Sequence, residues 1–149
     1  MAIAIGCDEA GFDLKEALKR MLLDAGHEVE DFGCYDMSPV MYPDVALAAA
    51  TSIVDGRNGR GVLVCGTGIG MAITANKVRG VRAAQCHDTY SAERARKSND
   101  AQVITLGARV IGTELAKTIL ATWLASEFEP ERSGPKVARI NEIDQAARP

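Results

Sequence analysis

Short apolar runs alternate along the chain with stretches whose apolar residues recur at helical spacing. Ala2–Cys7 is a continuous apolar run, and Leu14, Leu18, Met21 and Leu22 then follow one face of a helix. Gly26-His27 breaks that helix, and His27–Phe32 reads as a second strand. Pro43 opens a helix that runs to Val54, since a first turn tolerates its missing N–H. Gly61–Cys65 is a third strand, apolar on both faces as in a buried parallel sheet. A glycine-rich turn leads to a helix from Met71 to Lys77. Val81–Cys86 and Gln102–Leu106 are the fourth and fifth strands, with a helix over Ser91–Lys97 between them. Helices over Gly112–Leu124 and Lys136–Ala147 complete the pattern.

This alternation predicts an α/β fold, a three-layer αβα sandwich on a five-stranded parallel sheet with right-handed crossovers. The 149 residues suit one domain, 1–149. Phe128–Pro135 holds two prolines and a glycine and reads as a hinge. The helix beyond it has little sheet left to cover, so segment 128–149 is expected to lie on a second subunit.

Composition narrows the function. A hydrophobic fraction of 47% excludes a disordered chain. The net charge of −3 offers no basic excess for nucleic acid or an anionic membrane. Seven aromatic residues are too few for a base-stacking platform. No stretch approaches the length of a membrane span, and the opening Met-Ala-Ile-Ala-Ile-Gly-Cys-Asp lacks the basic region of a signal peptide. Four cysteines, at 7, 34, 65 and 86, show no C-x-x-C spacing for zinc or redox chemistry. A cytoplasmic chain with free thiols, no metal and no cofactor is the expectation.

In open parallel sheets, ligands bind beyond the carboxyl ends of the strands. Cys7-Asp8-Glu9, Gly33-Cys34, Cys65-Gly-Thr-Gly-Ile-Gly70, Cys86-His87-Asp88 and Gly107-Ala-Arg109 lie there. Cys7, Cys34 and Cys86 read as small core fillers. Cys65 differs, because three alternating glycines and a helix start follow it. Consecutive backbone N–H groups there form an anion nest that favours a thiolate. Known phosphate motifs fail. A G-x-G-x-x-G needs glycine where Met71 or Ile73 stands, a Walker A from Gly6 meets Phe12-Asp13, and a receiver domain wants aspartate at Cys65. What remains is a thiol, the Thr67 hydroxyl, backbone donors, Asp8 and scattered cations. That set suits proton abstraction beside a carbonyl, with donors stabilising an enediolate. Arg109, Arg132, Lys136 and Arg139 are candidate phosphate ligands.

Gly6-Cys-Asp-Glu-Ala-Gly11 with Leu14-Lys15, Tyr42-Pro43, Cys65–Met71, Ala75-Asn-Lys77, Asn99-Asp-Ala101 and Leu106–Gly112 follow in order along the chain. Together they resemble ribose-5-phosphate isomerase type B and the galactose-6-phosphate isomerase subunits. The resemblance implies a metal-free aldose–ketose isomerase on a Rossmann-like fold, of the ribose 5-phosphate/ribulose 5-phosphate type. It implies a homodimer or dimer of dimers with shared active sites. By position it makes Cys65 the base, and Thr67 with the amides of 66–70, including Gly66, Gly68 and Gly70, the enediolate stabilisers. Asp8 and Tyr42 would meet sugar hydroxyls, Asn99 the substrate backbone, and Arg109, Arg132 and Lys136 the phosphate.

Three family histidines are replaced here, by Glu9, Ser98 and Ser133. Beside a phosphate Glu9 would repel, so the expectation is either that the anion sits elsewhere or that Glu9 binds a hydroxyl. Ser98 stands where the family places its ring-opening histidine. A tetrose phosphorylated on O4 cannot close a furanose ring, so an erythrose/erythrulose 4-phosphate substrate is the alternative. Under the ribose reading Ser98 or His87 takes over ring opening. A non-catalytic subunit is the reading from another class, and the intact Cys65–Gly70 run speaks against it.

Overall fold

Three of the apolar runs become central strands buried on both faces, and two shorter ones flank them as half-buried edges. The computed structural model describes residues 2–147. The strands are β1 (Ala2–Cys7), β2 (Val29–Asp31), β3 (Asn58–Cys65), β4 (Ala83–Gln85) and β5 (Val103–Gly107). All pair in parallel, in the order β2-β1-β3-β5-β4. The helices are α1 (Phe12–Asp24), α2 (Tyr42–Val54), α3 (Ile69–Ala75), α4 (Thr89–Lys97), α5 (Thr113–Ala125) and α6 (Pro130–Ala146).

Alternate residues of each strand feed opposite layers, as the pleat requires. Ile3, Ile5, Val62, Val64 and Ile104 meet Leu14, Leu18, Ala92, Ile119 and Trp123 from α1, α4 and α5. Ala4, Leu63 and Val103 meet Ala46, Ala49, Ala50, Met71 and Ala75 from α2 and α3. Alanines dominate that second layer and let α2 and α3 lie close to the sheet and to each other. The result is the expected three-layer α/β sandwich. Crossovers leave β1 for one side and β3 for the other, so the sheet's switch point lies between them. The carboxyl ends there carry Asp8 and Cys65.

Several boundaries differ from the sequence reading. β2 and β4 keep three residues each, within the longer runs His27–Phe32 and Val81–Cys86. β3 instead starts earlier, at Asn58, and α3 at Ile69. The hinge over Phe128–Pro135 is mostly helix: Pro130 opens α6 and Pro135 sits inside it. Proline is at home in a first turn, where no N–H is required, and so does not mark a break there. α6 touches its own chain at the amino end of β4, where Arg82 Nη1 donates to Asn141 Oδ1 and the Gly80 amide to Asp144 Oδ2. The last two residues of the 128–149 segment lie outside the described residues.

Candidate active site

Cys65 ends β3 and is 5% exposed. The turn beyond it reverses sharply because Gly68 adopts φ +77°, a left-handed conformation suited to glycine. That reversal brings the Gly68 amide back to donate to Cys65 Sγ at 3.1 Å. The Ile69 amide reaches Thr67 Oγ1 at 3.3 Å, and α3 starts there. The turn lies hard against β5, since a Cβ at Gly107 would stand 2.8 Å from the Thr67 backbone.

Neighbouring elements add the other groups. The Asp8 amide donates to Val64 O, which holds Asp8 beside the end of β3. Its Oδ1 accepts the Gly11 amide at 3.0 Å. Burial holds the Asp8 carboxyl above the ordinary carboxylate range, Glu9's charge adds to this, and the Gly11 amide and Arg109 oppose it. Glu9 is half-buried, and its Oε2 accepts the Val40 amide at 3.1 Å. Backbone amides, its own and Val40's, keep its carboxyl below the usual range. Glu9 therefore ties down the loop that leads to Tyr42. The Tyr42 ring lies where a side chain on Gly70 would have to go. Arg109 lies over Gly66, its Cδ and Nη1 3.5 Å from a Cβ built there, and its own amide donates to Gly66 O.

The other cysteines are core groups. Cys7 and Cys34 place their sulfurs 3.5 Å apart, both buried. Burial raises the Cys7 thiol, with Cys34 adding. Burial pushes Cys86 up to about 11, with Asp88's charge adding. His87 Nε2 accepts the Gly107 amide at 2.9 Å, so that nitrogen carries no proton in this arrangement. Among the described residues no three His, Cys, Asp or Glu side chains converge to hold a metal ion.

Asp8, Glu9, Tyr42, Cys65 to Gly70 and Arg109 thus gather at the carboxyl edge. Ser98, Asn99, Arg132 and Lys136 do not join them in one chain. Asn99 O accepts from Arg82 Nε, just before β4, so this group sits at the amino edge. Ser98 Oγ accepts Nε and Nη2 of Arg94 at 3.0 and 2.8 Å. Arg94 also pairs with Glu129, whose amide donates to Lys97 O, and this brings the exposed Arg132 and Lys136 alongside. A cavity of about 450 Å³ runs between α4 and the free edge of β4, with Arg94 and Asn99 in its wall.

Two residues escaped the sequence reading. Gln85 Nε2 donates to Thr67 O at 2.6 Å, and Thr105 Oγ1 to Gly68 O at 2.8 Å. Their signal was slight: one polar residue in each of two apolar strands.

Residues 3–140 match the sequence model of a family described as Ribose/Galactose Isomerase. The chain belongs to that family. It is 54% identical to "Ribose-5-P isomerase B" of Listeria innocua over 99% of this chain and 100% of that protein. It is 59% identical to "D-erythrulose-4-phosphate isomerase" of Pectobacterium atrosepticum over 94% of this chain and 93% of that protein. The fold of this family member is close to that of a Clostridium thermocellum ribose-5-phosphate isomerase B, with a TM-score of 0.97 at 43% identity and 99% coverage of each chain.

Proposed function

We propose that the chain interconverts a four-carbon aldose and ketose phosphorylated on O4, of the erythrose/erythrulose 4-phosphate type, through an enediolate. The reaction class, aldose–ketose isomerisation of a sugar phosphate, is that of the family to which the chain belongs. Cys65 Sγ removes the proton on C2 of the aldose, and the electron pair moves to O1. Thr67 and the amides around Gly66, Gly68 and Gly70 stabilise that oxygen. The same sulfur returns the proton to C1 while the hydroxyl proton passes from O2 to O1. Asp8, whose carboxyl burial holds above the ordinary range, is suited to carry it. Tyr42 meets sugar hydroxyls, and Arg109 supplies positive charge from this edge.

The choice of substrate rests on Ser98. Its oxygen takes two N–H groups from Arg94, so its hydroxyl serves as a donor and no imidazole is there to open a ring. His87 Nε2 is engaged by Gly107, which removes that nitrogen as a base. An O4-phosphorylated tetrose is open-chain and needs neither. Two relatives named as erythrulose-4-phosphate isomerases, at 59% and 45% identity, fit this reading. The relative at 54% named a ribose-5-phosphate isomerase favours the five-carbon pair as second reading.

Asn99, Arg132, Lys136 and Ser98 are proposed to reach the substrate from a second copy of the chain, in a homodimer or dimer of dimers. Four unpaired thiols support a cytoplasmic location, and among the described residues no helix is long and apolar enough to cross a membrane.

Turnover of tetrose 4-phosphates against ribose 5-phosphate tests the substrate. The expected kcat/KM favours the tetrose, and parity or reversal overturns it. Cys65→Ala is expected to lower kcat about a hundred- to ten-thousandfold with substrate still bound. Retained turnover overturns Cys65 as the base.

A further inference from the structure

We infer that Gln85 and Thr105 are positioning residues that aim two successive peptide N–H groups at Cys65 and Thr67. The inference rests on the reading of Cys65 as the base. Gln85 and Thr105 are paired across β4 and β5, so their side chains leave the sheet on the same side, the side of α3. Each side chain donates to one carbonyl of the turn, Gln85 to Thr67 O and Thr105 to Gly68 O.

In a trans peptide the carbonyl and the following N–H point in opposite directions. The peptide joining Thr67 and Gly68 therefore receives Gln85 at its oxygen and delivers its N–H to Cys65 Sγ at 3.1 Å. The next peptide receives Thr105 at its oxygen and delivers its N–H to Thr67 Oγ1. Two parallel chains of hydrogen bonds thus run from the strands, through one peptide each, to a catalytic heteroatom. A donor at the carbonyl polarises the peptide and strengthens the N–H at its far end. A thiolate gains more from that N–H than a thiol does, so Gln85 biases the base toward its reactive form.

The two side chains are not equivalent in their surroundings. Thr105 is buried, and its loss would leave Gly68 O with the Ala72 amide as its remaining donor. Gln85 is exposed at the end of β4, where a substitution leaves the core untouched. The other charged and titratable groups at this edge include Cys7, Asp8 and Glu9 at the end of β1, Cys34 against Cys7, Tyr42 at the start of α2, Cys86, His87 and Asp88 beyond β4, and Arg109 beyond β5. All of them persist in the variants below.

The test compares Gln85→Leu with the unmodified enzyme in two pH profiles: kcat/KM, and alkylation of Cys65 by iodoacetamide read on the Cys65 peptide. With the donor gone the thiolate is less favoured. Both acid limbs should then move up by about half to one pH unit, with the melting temperature unchanged. Thr105→Val should lower kcat about three- to tenfold with little change in KM, and Thr105→Ser, which keeps the hydroxyl, should restore it. Acid limbs of Gln85→Leu that coincide with those of the unmodified enzyme overturn the inference, as does a Thr105→Ser variant no better than Thr105→Val. Cys65→Ala separates the two ideas. If it stays active, the base reading fails; if it is dead while Gln85→Leu is unmoved, only the positioning role fails.

Discussion

At Gly68 the backbone takes φ +77°, and a Cβ there would stand 3.0 Å from the Leu106 backbone. Its N–H serves Cys65 and its carbonyl takes Thr105's hydroxyl, so any shift at this residue reaches the sulfur. Gly68→Ala should lower the unfolding free energy by about 1–2 kcal/mol for the left-handed backbone alone, and more for the clash. It should lower kcat more steeply than it raises KM, a split that steady-state kinetics beside a urea titration would read. A kcat at the level of the unmodified enzyme would show that the turn does not position the thiol. The spacing of Gly66, Gly68 and Gly70 predicts a sharp turn with exposed amides, and the left-handed Gly68 makes that turn. Gly70 is small because the Tyr42 ring lies over it, a contact between α2 and α3 that no local rule contains. Cys65 was legible because glycines and a helix start follow it directly. Gln85 and Thr105 were not, because strand register alone puts them side by side.

Between elements, the most demanding contact joins α1 to β2. The Lys15 side chain is fully buried, with Nζ 2.6 Å from Glu16 and 2.9 Å from Asp31. Burial works against its charge, but those two carboxylates outweigh it and hold the ammonium above its ordinary range. Asp31 suffers the same burial, and hydrogen bonds from Lys19, Lys15 and the Gly33 amide bring its carboxyl below 3.8. Asp31 Oδ1 on Gly33 then starts the loop that runs to Tyr42. A carboxyl depressed in the folded state contributes stability above its unfolded pKa and loses it as pH falls through the folded one. Lys15→Met should therefore cost about 3–5 kcal/mol at neutral pH, because it leaves a buried carboxylate with one cation fewer. It should also flatten the fall in stability below pH 3.8, since folded and unfolded carboxyls then differ less. Urea titrations from acid to neutral pH read both effects, and an acid limb as steep as before would place the depression elsewhere. The elements themselves were legible where apolar period and burial coincide. They overran at the sheet edges, where Val81 and Cys86 are buried but lie outside the paired residues of β4, although the Cys86 amide still donates to Thr105 O.

Over the whole molecule, the family motifs divide between the two ends of one sheet. Cys65 closes β3 at the carboxyl edge, while Ser98 and Asn99 lie by Arg82 at the amino edge. The five residues of β5 alone put roughly 15 Å between those edges. A four-carbon phosphate cannot bridge that span, so both groups can act on one molecule only if a second chain brings its amino edge to the first chain's Cys65. Order along the sequence carries no sign of this, because motifs from the two edges alternate in it. α6 bears Arg132 and Lys136 on an exposed face and holds to its own chain through polar contacts near Gly80 and Arg82. If the site is shared, the two defects fall in different sites of a mixed dimer. Cys65→Ala and Arg132→Ala dimers should each be nearly inactive. Co-expressed, they form mixed dimers in which one site collects both substitutions and the other collects neither. Tagging the two chains differently and purifying on both tags should thus return an enzyme with one working site, at about half the activity per dimer of the unmodified protein. Mixed dimers as inactive as their parents would mean that each chain completes its own site, and Arg132 would then have to leave the amino edge to reach the substrate.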